Sequence, residues 1–212
     1  MLDYDEEKKE MGKHPVRPNW FLELQNPHDN LKWLSQVSAS VEIIANFGCT
    51  SSEFLALLWR LDAAEVKVVE REEKHRNKQP MGPRKELEFV GKKIPAALEG
   101  RSVEFIVADM SKLREDELAS DYCDLTYCEE VLYFMMSDLQ EVRDSISQMA
   151  RIVRPGGWVI AVELHLSENI DREKIGRLFE AAGLRKYGLD GAPSFSYCYK
   201  KPHDETAATW RS

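Results

Sequence analysis

No uninterrupted apolar run in this chain of 212 residues approaches the ~20 residues a helix needs to cross a bilayer. No membrane helix is expected. The opening MLDYDEEKKE lacks both the basic-then-apolar order of a secretory signal and the arginine-rich composition of a transit peptide. The expected compartment is therefore cytoplasmic. Cysteine is sparse: Cys49, Cys123, Cys128 and Cys198 include no C-x-x-C pair, and the five histidines do not cluster with them. Those spacings argue against a zinc site and against disulfides, and no metal is expected. An excess of positive charge is also missing. Lys and Arg total 29 against 37 Asp and Glu, a net charge of −8. A whole-molecule electrostatic grip on nucleic acid is not expected at that balance. No internal repeat or low-complexity stretch is present.

What is there is an ordinary folding composition, 43% hydrophobic and 31% charged, in a length that suits one domain with a small appendage. Residues 1–40 read as a polar tail followed by one or two short helices, whose Trp20, Phe21 and Trp33 suit a lid over a ligand. From residue 41 apolar β-branched runs alternate with helical stripes. VEIIANFG (41–48) is a strand, Phe54, Leu55, Leu58 and Leu61 mark a helix, and VKVVE (66–70) is a second strand. Residues 71–93 are basic and broken by Pro80, Gly82 and Pro83; they read as a solvated loop and polar helix. SVEFIVADM (102–110) and CDLTYC (123–128) are strands three and four. Ser137 with Gln140 forms a capping box for a helix that Arg154-Pro155-Gly156-Gly157 stops. WVIAVELHL (158–166) is strand five, Ile175 to Ala182 a last helix ended by Gly183, and Asp190-Gly191 the turn of a closing hairpin. The alternation predicts a doubly wound α/β sheet, mostly parallel with a reversed last strand, over residues 41–202, with 203–212 a tail.

Ligands of such sheets bind past the carboxyl ends of the strands. After strand one comes Asn46-Phe47-Gly48-Cys49-Thr50-Ser51-Ser52, where Gly48 permits a tight turn and small residues follow. After strand two comes Glu70, about twenty residues past Gly48, where a carboxylate can accept both hydroxyls of a ribose. Asp109 follows strand three and can accept from an exocyclic amine. Cys128, Glu129 and Glu130 follow strand four, and Glu163 and His165 follow strand five.

FIVADM, DLTYCEEVLYFM and MARIVRPGGWVIAVE resemble the corresponding segments of class I S-adenosylmethionine-dependent methyltransferases, small-molecule branch, and the resemblance extends over roughly residues 41–200. It implies a Rossmann-like methyltransferase sheet, S-adenosylmethionine as cofactor and S-adenosylhomocysteine as product. It also implies that the first-loop residues Asn46, Phe47, Gly48 and Thr50 bind cofactor, that Glu70 holds the ribose, that Asp109 holds the adenine amino group with Met110 beside the ring, and that Cys128 lies near the methionine part. The family's first loop reads acid-x-G-x-G-x-G. Here Asn46 stands for the acid, Thr50 for the second glycine and Ser52 for the third, so Gly48 alone is retained.

Each residue has a plainer reading beside this one. Glu70 is otherwise a solvated strand end, Cys128 a packed small hydrophobe rather than a nucleophile, and His165 a surface histidine rather than a general base. Glu129, Glu130 and Tyr133 stand with His165 as acid–base candidates, and no catalytic residue is assigned. The expected function is methyl transfer to a small-molecule acceptor. Nucleic acid and membrane are not expected partners, and a homo-oligomer remains open. The altered glycine loop motivates the alternative, a catalytically inactive methyltransferase-fold protein acting as a binding or partner subunit.

Overall fold

A computed structural model describes residues 33–38, 41–48, 61, 63–71, 100–129, 131–163, 172–193 and 196–203. Seven strands form one sheet: β1 (Ile43–Phe47), β2 (Glu65–Glu70), β3 (Ser102–Val107), β4 (Cys123–Glu129), β5 (Val153–Val162), β6 (Arg185–Lys186) and β7 (Ser196–Lys200). Their order is β3-β2-β1-β4-β5-β7-β6. The pairs from β3 to β5 are parallel, β7 runs against β5, and β6 against β7. The predicted parallel sheet with a reversed C-terminal hairpin is the one observed. Strand order reverses between β1 and β4, and that switch point opens the crevice in which doubly wound sheets bind ligands.

The helices among the described residues are α1 (Ser35–Ser38), α2 (Val131–Met135), α3 (Leu139–Ile152) and α4 (Arg172–Ala181). Strand parity divides the core in two. Ile44, Val66, Val68, Leu125, Tyr127, Trp158 and Ile160 share one face with Trp33, Leu34 and Val37 of the segment around α1. Ala45, Phe47, Val69, Cys128, Val159 and Ala161 share the other with Val142, Ile146 and Met149 of α3 and Ile175 and Phe179 of α4. Trp33 and Leu34 are thus core residues, while the rest of the expected lid segment, residues 16–32, lies outside the described residues. Gln36 ties α1 to the hairpin turn, donating to Asp190 O at 2.7 Å and accepting from Asp190 N at 3.1 Å. Phe179 stacks between Tyr197 and Tyr199, fixing α4 on β7.

Three boundaries differ from the sequence reading. The helix α3 is capped by Asp138, not Ser137. The Asp138 carboxylate accepts from Gln140 N and Glu141 N while its backbone stays extended, and aspartate caps as well as serine does. Strand β3 ends at Val107, because Asp109 turns the chain into a 3-10 helix at Met110–Lys112. Strand β5 starts at Val153, five residues before the expected Trp158. The Pro-Gly-Gly segment does not break the strand because the register against β4 shifts between Cys123 and Leu125 and takes up the extra residues. Gly156 N donates to Lys201 O and Lys201 N to Gly157 O, so the bulged segment keeps its backbone partners. A Cβ on Gly157 would stand 2.8 Å from Asp124 O and 2.9 Å from Arg154 O, which explains glycine there. Asp124 lies beneath this bulge. Its buried Oδ2 accepts from Glu42 N at 2.7 Å and Ile43 N at 2.8 Å, and Oδ1 pairs with Arg154, so one carboxylate joins the starts of β1, β4 and β5.

Candidate functional site

The switch point is built around the end of β1. Asn46 lies opposite Val68 of β2 and Tyr127 of β4. Side chains alternate along a strand, so Glu70 and Glu129, each two residues further, share the face of Asn46 on either side of β1. The Tyr127 hydroxyl donates to Glu129 Oε2 at 2.9 Å, consistent with that parity. Asn46 and Glu70 are both buried. Asn46 Nδ2 has no hydrogen-bond partner among the described residues, which is costly for a buried amide and suits a donor facing a ligand position.

Just past Asn46, Gly48 adopts φ +60° and donates its N–H to Val69 O at 3.0 Å. A Cβ at Gly48 would overlap the Cγ2 methyl of Val131, the first residue of α2. Glycine is thus required twice over here, by its positive φ and by the approach of α2.

Asp109 sits at the third strand's exit. Its Oδ1 accepts from Ser111 N at 3.0 Å and Ser111 Oγ at 2.7 Å, and its Oδ2 from Arg71 at 3.0 Å. Arg71 also reaches Glu141 Oε1, at 2.5 Å, on α3. Burial alone would raise the Asp109 pKa. The Ser111 donors and the Arg71 guanidinium outweigh it and hold the carboxyl below its ordinary value. The site therefore offers anionic acceptors at the exits of β2 and β3.

The sequence candidates fall into two groups. Asn46, Gly48, Glu70 and Asp109 converge on the carboxyl ends of β1 to β3. Phe47, Met110 and Cys128 are buried in the core cluster on the α3 side of the sheet. Burial first, then the nearby Glu163 and Glu129, pushes the Cys128 thiol well above its ordinary value, so it is a packed side chain and no nucleophile. The described cysteines Cys123, Cys128 and Cys198 are all free. Thr50, Cys49, Glu130 and His165 lie outside the described residues. Among the described residues no group of His, Cys, Asp or Glu could hold a metal ion, and no helix is long and apolar enough to cross a membrane.

Sequence reasoning missed two residues of this end. In sequence Arg71 opens a solvated basic stretch, although its position directly after Glu70 sets it at the strand exit. Glu163 reads in sequence only as a residue following strand five. In the structure it is fully buried and accepts from Leu132 N at 3.1 Å and Tyr133 N at 3.0 Å. Main-chain donors leave no mark in a sequence, so only its position past β5 signalled it.

A family profile for a methyltransferase domain matches residues 45–161, more than half of the chain, from within β1 to within β5. Among curated proteins no significant sequence match is found. Solved structures are similar in fold. An O-methyltransferase family protein from Burkholderia thailandensis superposes with a TM-score of 0.60 at 15% identity, over 87% of this chain, which spans 59% of that protein's length. The S-adenosylmethionine-bound CalS10, an amino pentose methyltransferase from Micromonospora echinaspora, gives 0.58 at 11% identity, over 95% of this chain and 98% of that one. A Haloferax volcanii chain in complex with the Trm112 methyltransferase activator gives 0.53 at 14% identity, over 89% and 100%. With its 3-2-1-4-5-7-6 sheet and its matching domain profile, this chain belongs to the class I S-adenosylmethionine-dependent methyltransferases.

Proposed function

We propose that the protein binds S-adenosylmethionine across the carboxyl ends of β1, β2 and β3 and transfers its methyl group to a small-molecule acceptor. One observation carries this reading: Asn46 and Glu70, both buried, flank Gly48 on one face of the switch point, with Asp109 at the next exit. These groups fit the ligand's chemistry. Glu70 is placed to accept from ribose hydroxyls. Asp109 Oδ1 is saturated by Ser111, whereas Oδ2 keeps capacity for a further N–H beside Arg71. Asn46 Nδ2 supplies a donor next to Gly48. Bound, the cofactor supplies an electrophilic methyl group on a sulfonium. The chain's task is then to hold, orient and exclude water, and methyl transfer asks for alignment rather than a strong acid or base.

Three observations support a small acceptor. The net charge of −8 disfavours polyanions. The CalS10 chain, named for an amino pentose, is covered almost completely. On α2, beside Gly48, Tyr133 and Phe134 meet edge to face at 5.4 Å, and Phe134 is 76% exposed. That pair offers an apolar wall to a molecule approaching the strand ends. The test is release of S-adenosylhomocysteine from S-adenosylmethionine across a panel of hydroxyl- and amine-bearing small molecules, with RNA and protein acceptors alongside. Turnover confined to small molecules is expected. Turnover confined to RNA or protein would refute the acceptor class.

A second reading, a methyltransferase-fold subunit that works through a partner, is favoured by the Val131 methyls packed on Gly48 and by the fold's likeness to the chain in complex with Trm112. It predicts no turnover in that panel with cofactor binding absent or weak.

A further inference from the structure

Glu163 is the first residue past β5 and is completely buried, yet the reading above gives it no contact with cofactor or acceptor. A buried carboxylate is costly unless donors surround it. Among the described residues its donors include the main-chain amides of Leu132 and Tyr133, one on each oxygen, in the first turn of α2. These amides belong to the group that a helix start leaves without internal partners. A helix of five residues cannot hold itself in place, because its nucleation cost is not repaid by so few hydrogen bonds. Its position is set from outside, by the burial of Leu132 and Met135 in the core, by Glu163 at the N-terminal turn and by the contact of Ser145 Oγ with Met135 Sδ, at 3.3 Å, at the other end. Immediately before the two clamped amides stands Val131, whose methyls cover Gly48. A chain of direct contacts therefore runs from β5 through Glu163 and α2 to the β1 loop.

We propose that Glu163 is a positioning residue of the cofactor site: its carboxylate fixes the first turn of α2 and thereby sets the distance of the Val131 wall from Gly48. This inference rests on the cofactor reading above. The glutamate acts through the backbone it holds, and Val131 is the side chain that meets the ligand position.

The test is a double-mutant cycle of Glu163→Gln and Val131→Ala, read by calorimetric titration with S-adenosylhomocysteine, with amide hydrogen exchange over residues 131–136. Glutamine keeps the volume and one acceptor but turns an amino group toward the other amide, so it loses at least one charge-assisted bond. Glu163→Gln is expected to weaken binding about tenfold, the worth of one such bond, and to speed exchange at Leu132 and Tyr133. In the Val131→Ala background the same change is expected to alter affinity less than about twofold, because the wall it positions has been cut away. A general loss of packing would instead leave the tenfold effect intact in both backgrounds. Glu163→Ala is the harsher variant, and the glutamine variant decides the question if alanine fails to fold. Unchanged affinity for Glu163→Gln, or an undiminished effect in the Val131→Ala background, overturns the inference while leaving the cofactor reading in place. Absence of binding by the parent protein overturns both.

Discussion

Asp124 shows how much one buried carboxylate can join. Two amides of the β1 entrance and the Arg154 guanidinium meet on it, beneath the bulge that starts β5. Asp124→Ala would leave two amides without an acceptor, at a cost of about 3 kcal/mol. Urea denaturation should show that loss in the midpoint, and a variant within 0.5 kcal/mol of the parent, roughly the spread of neutral surface changes, would remove Asp124 from this role. Asp109 makes a different prediction. Its native pKa is lowered, so its contribution is fully present above the unfolded value near pH 4 and is lost as the pH falls through the native one. The stability gap between parent and Asp109→Asn should therefore narrow on acidification below about pH 4. The gap itself should be modest, about 1 kcal/mol, since Arg71 is half exposed and water screens the pair. A gap that widens with acid would contradict the assignment. At this scale Glu70 and Asp109 were legible, because an acid closing an apolar run marks a strand exit. Asp124, Arg71 and Glu163 were not, because their partners are backbone amides or residues distant in sequence.

The elements were legible where hydrophobic period and punctuation agreed. Strand β2 is a β-branched run, the stripe of Val142, Ile146 and Met149 marks α3, and Gly183 at φ +84° ends the last helix as expected. They were misread where a tertiary contact overrode a local signal. Pro155-Gly156-Gly157 is a stop in any isolated helix, but here β4 and the residues after β7 pair with the bulged backbone and draw it into β5. The brief helix α2 had no periodic signal at all, since five residues are too few to show one. Glu163 meets its first turn and Ser145 its last residue, with Leu132 and Met135 buried, and Val131 lies against Gly48, which is why the test of that element is a coupling between two side chains rather than the effect of either alone.

For the whole molecule, the sheet order and the reversed β7 explain why a chain only 11–15% identical to the compared structures keeps their fold. The architecture needs apolar strands at the right spacing and glycine at Gly48 and Gly157, and little else of the sequence. The departures from the family's first-loop pattern leave the β1 exit in place, since Asn46 still stands buried at the switch point and Gly48 still turns the chain. In the function proposed for it, this switch point holds S-adenosylmethionine with Glu70 on the ribose. Its most direct test is calorimetric titration of the parent, Glu70→Gln and Glu70→Ala with S-adenosylmethionine, with circular dichroism confirming that each is folded. A carboxylate hydrogen bond is worth about 1.5–3 kcal/mol, so losing one or both predicts binding weakened by about tenfold to several hundredfold in Glu70→Ala, with Glu70→Gln between. A parent that gives no heat at millimolar cofactor would remove cofactor binding from this switch point, and a Glu70→Ala variant that binds as tightly as the parent would remove Glu70 from the ribose.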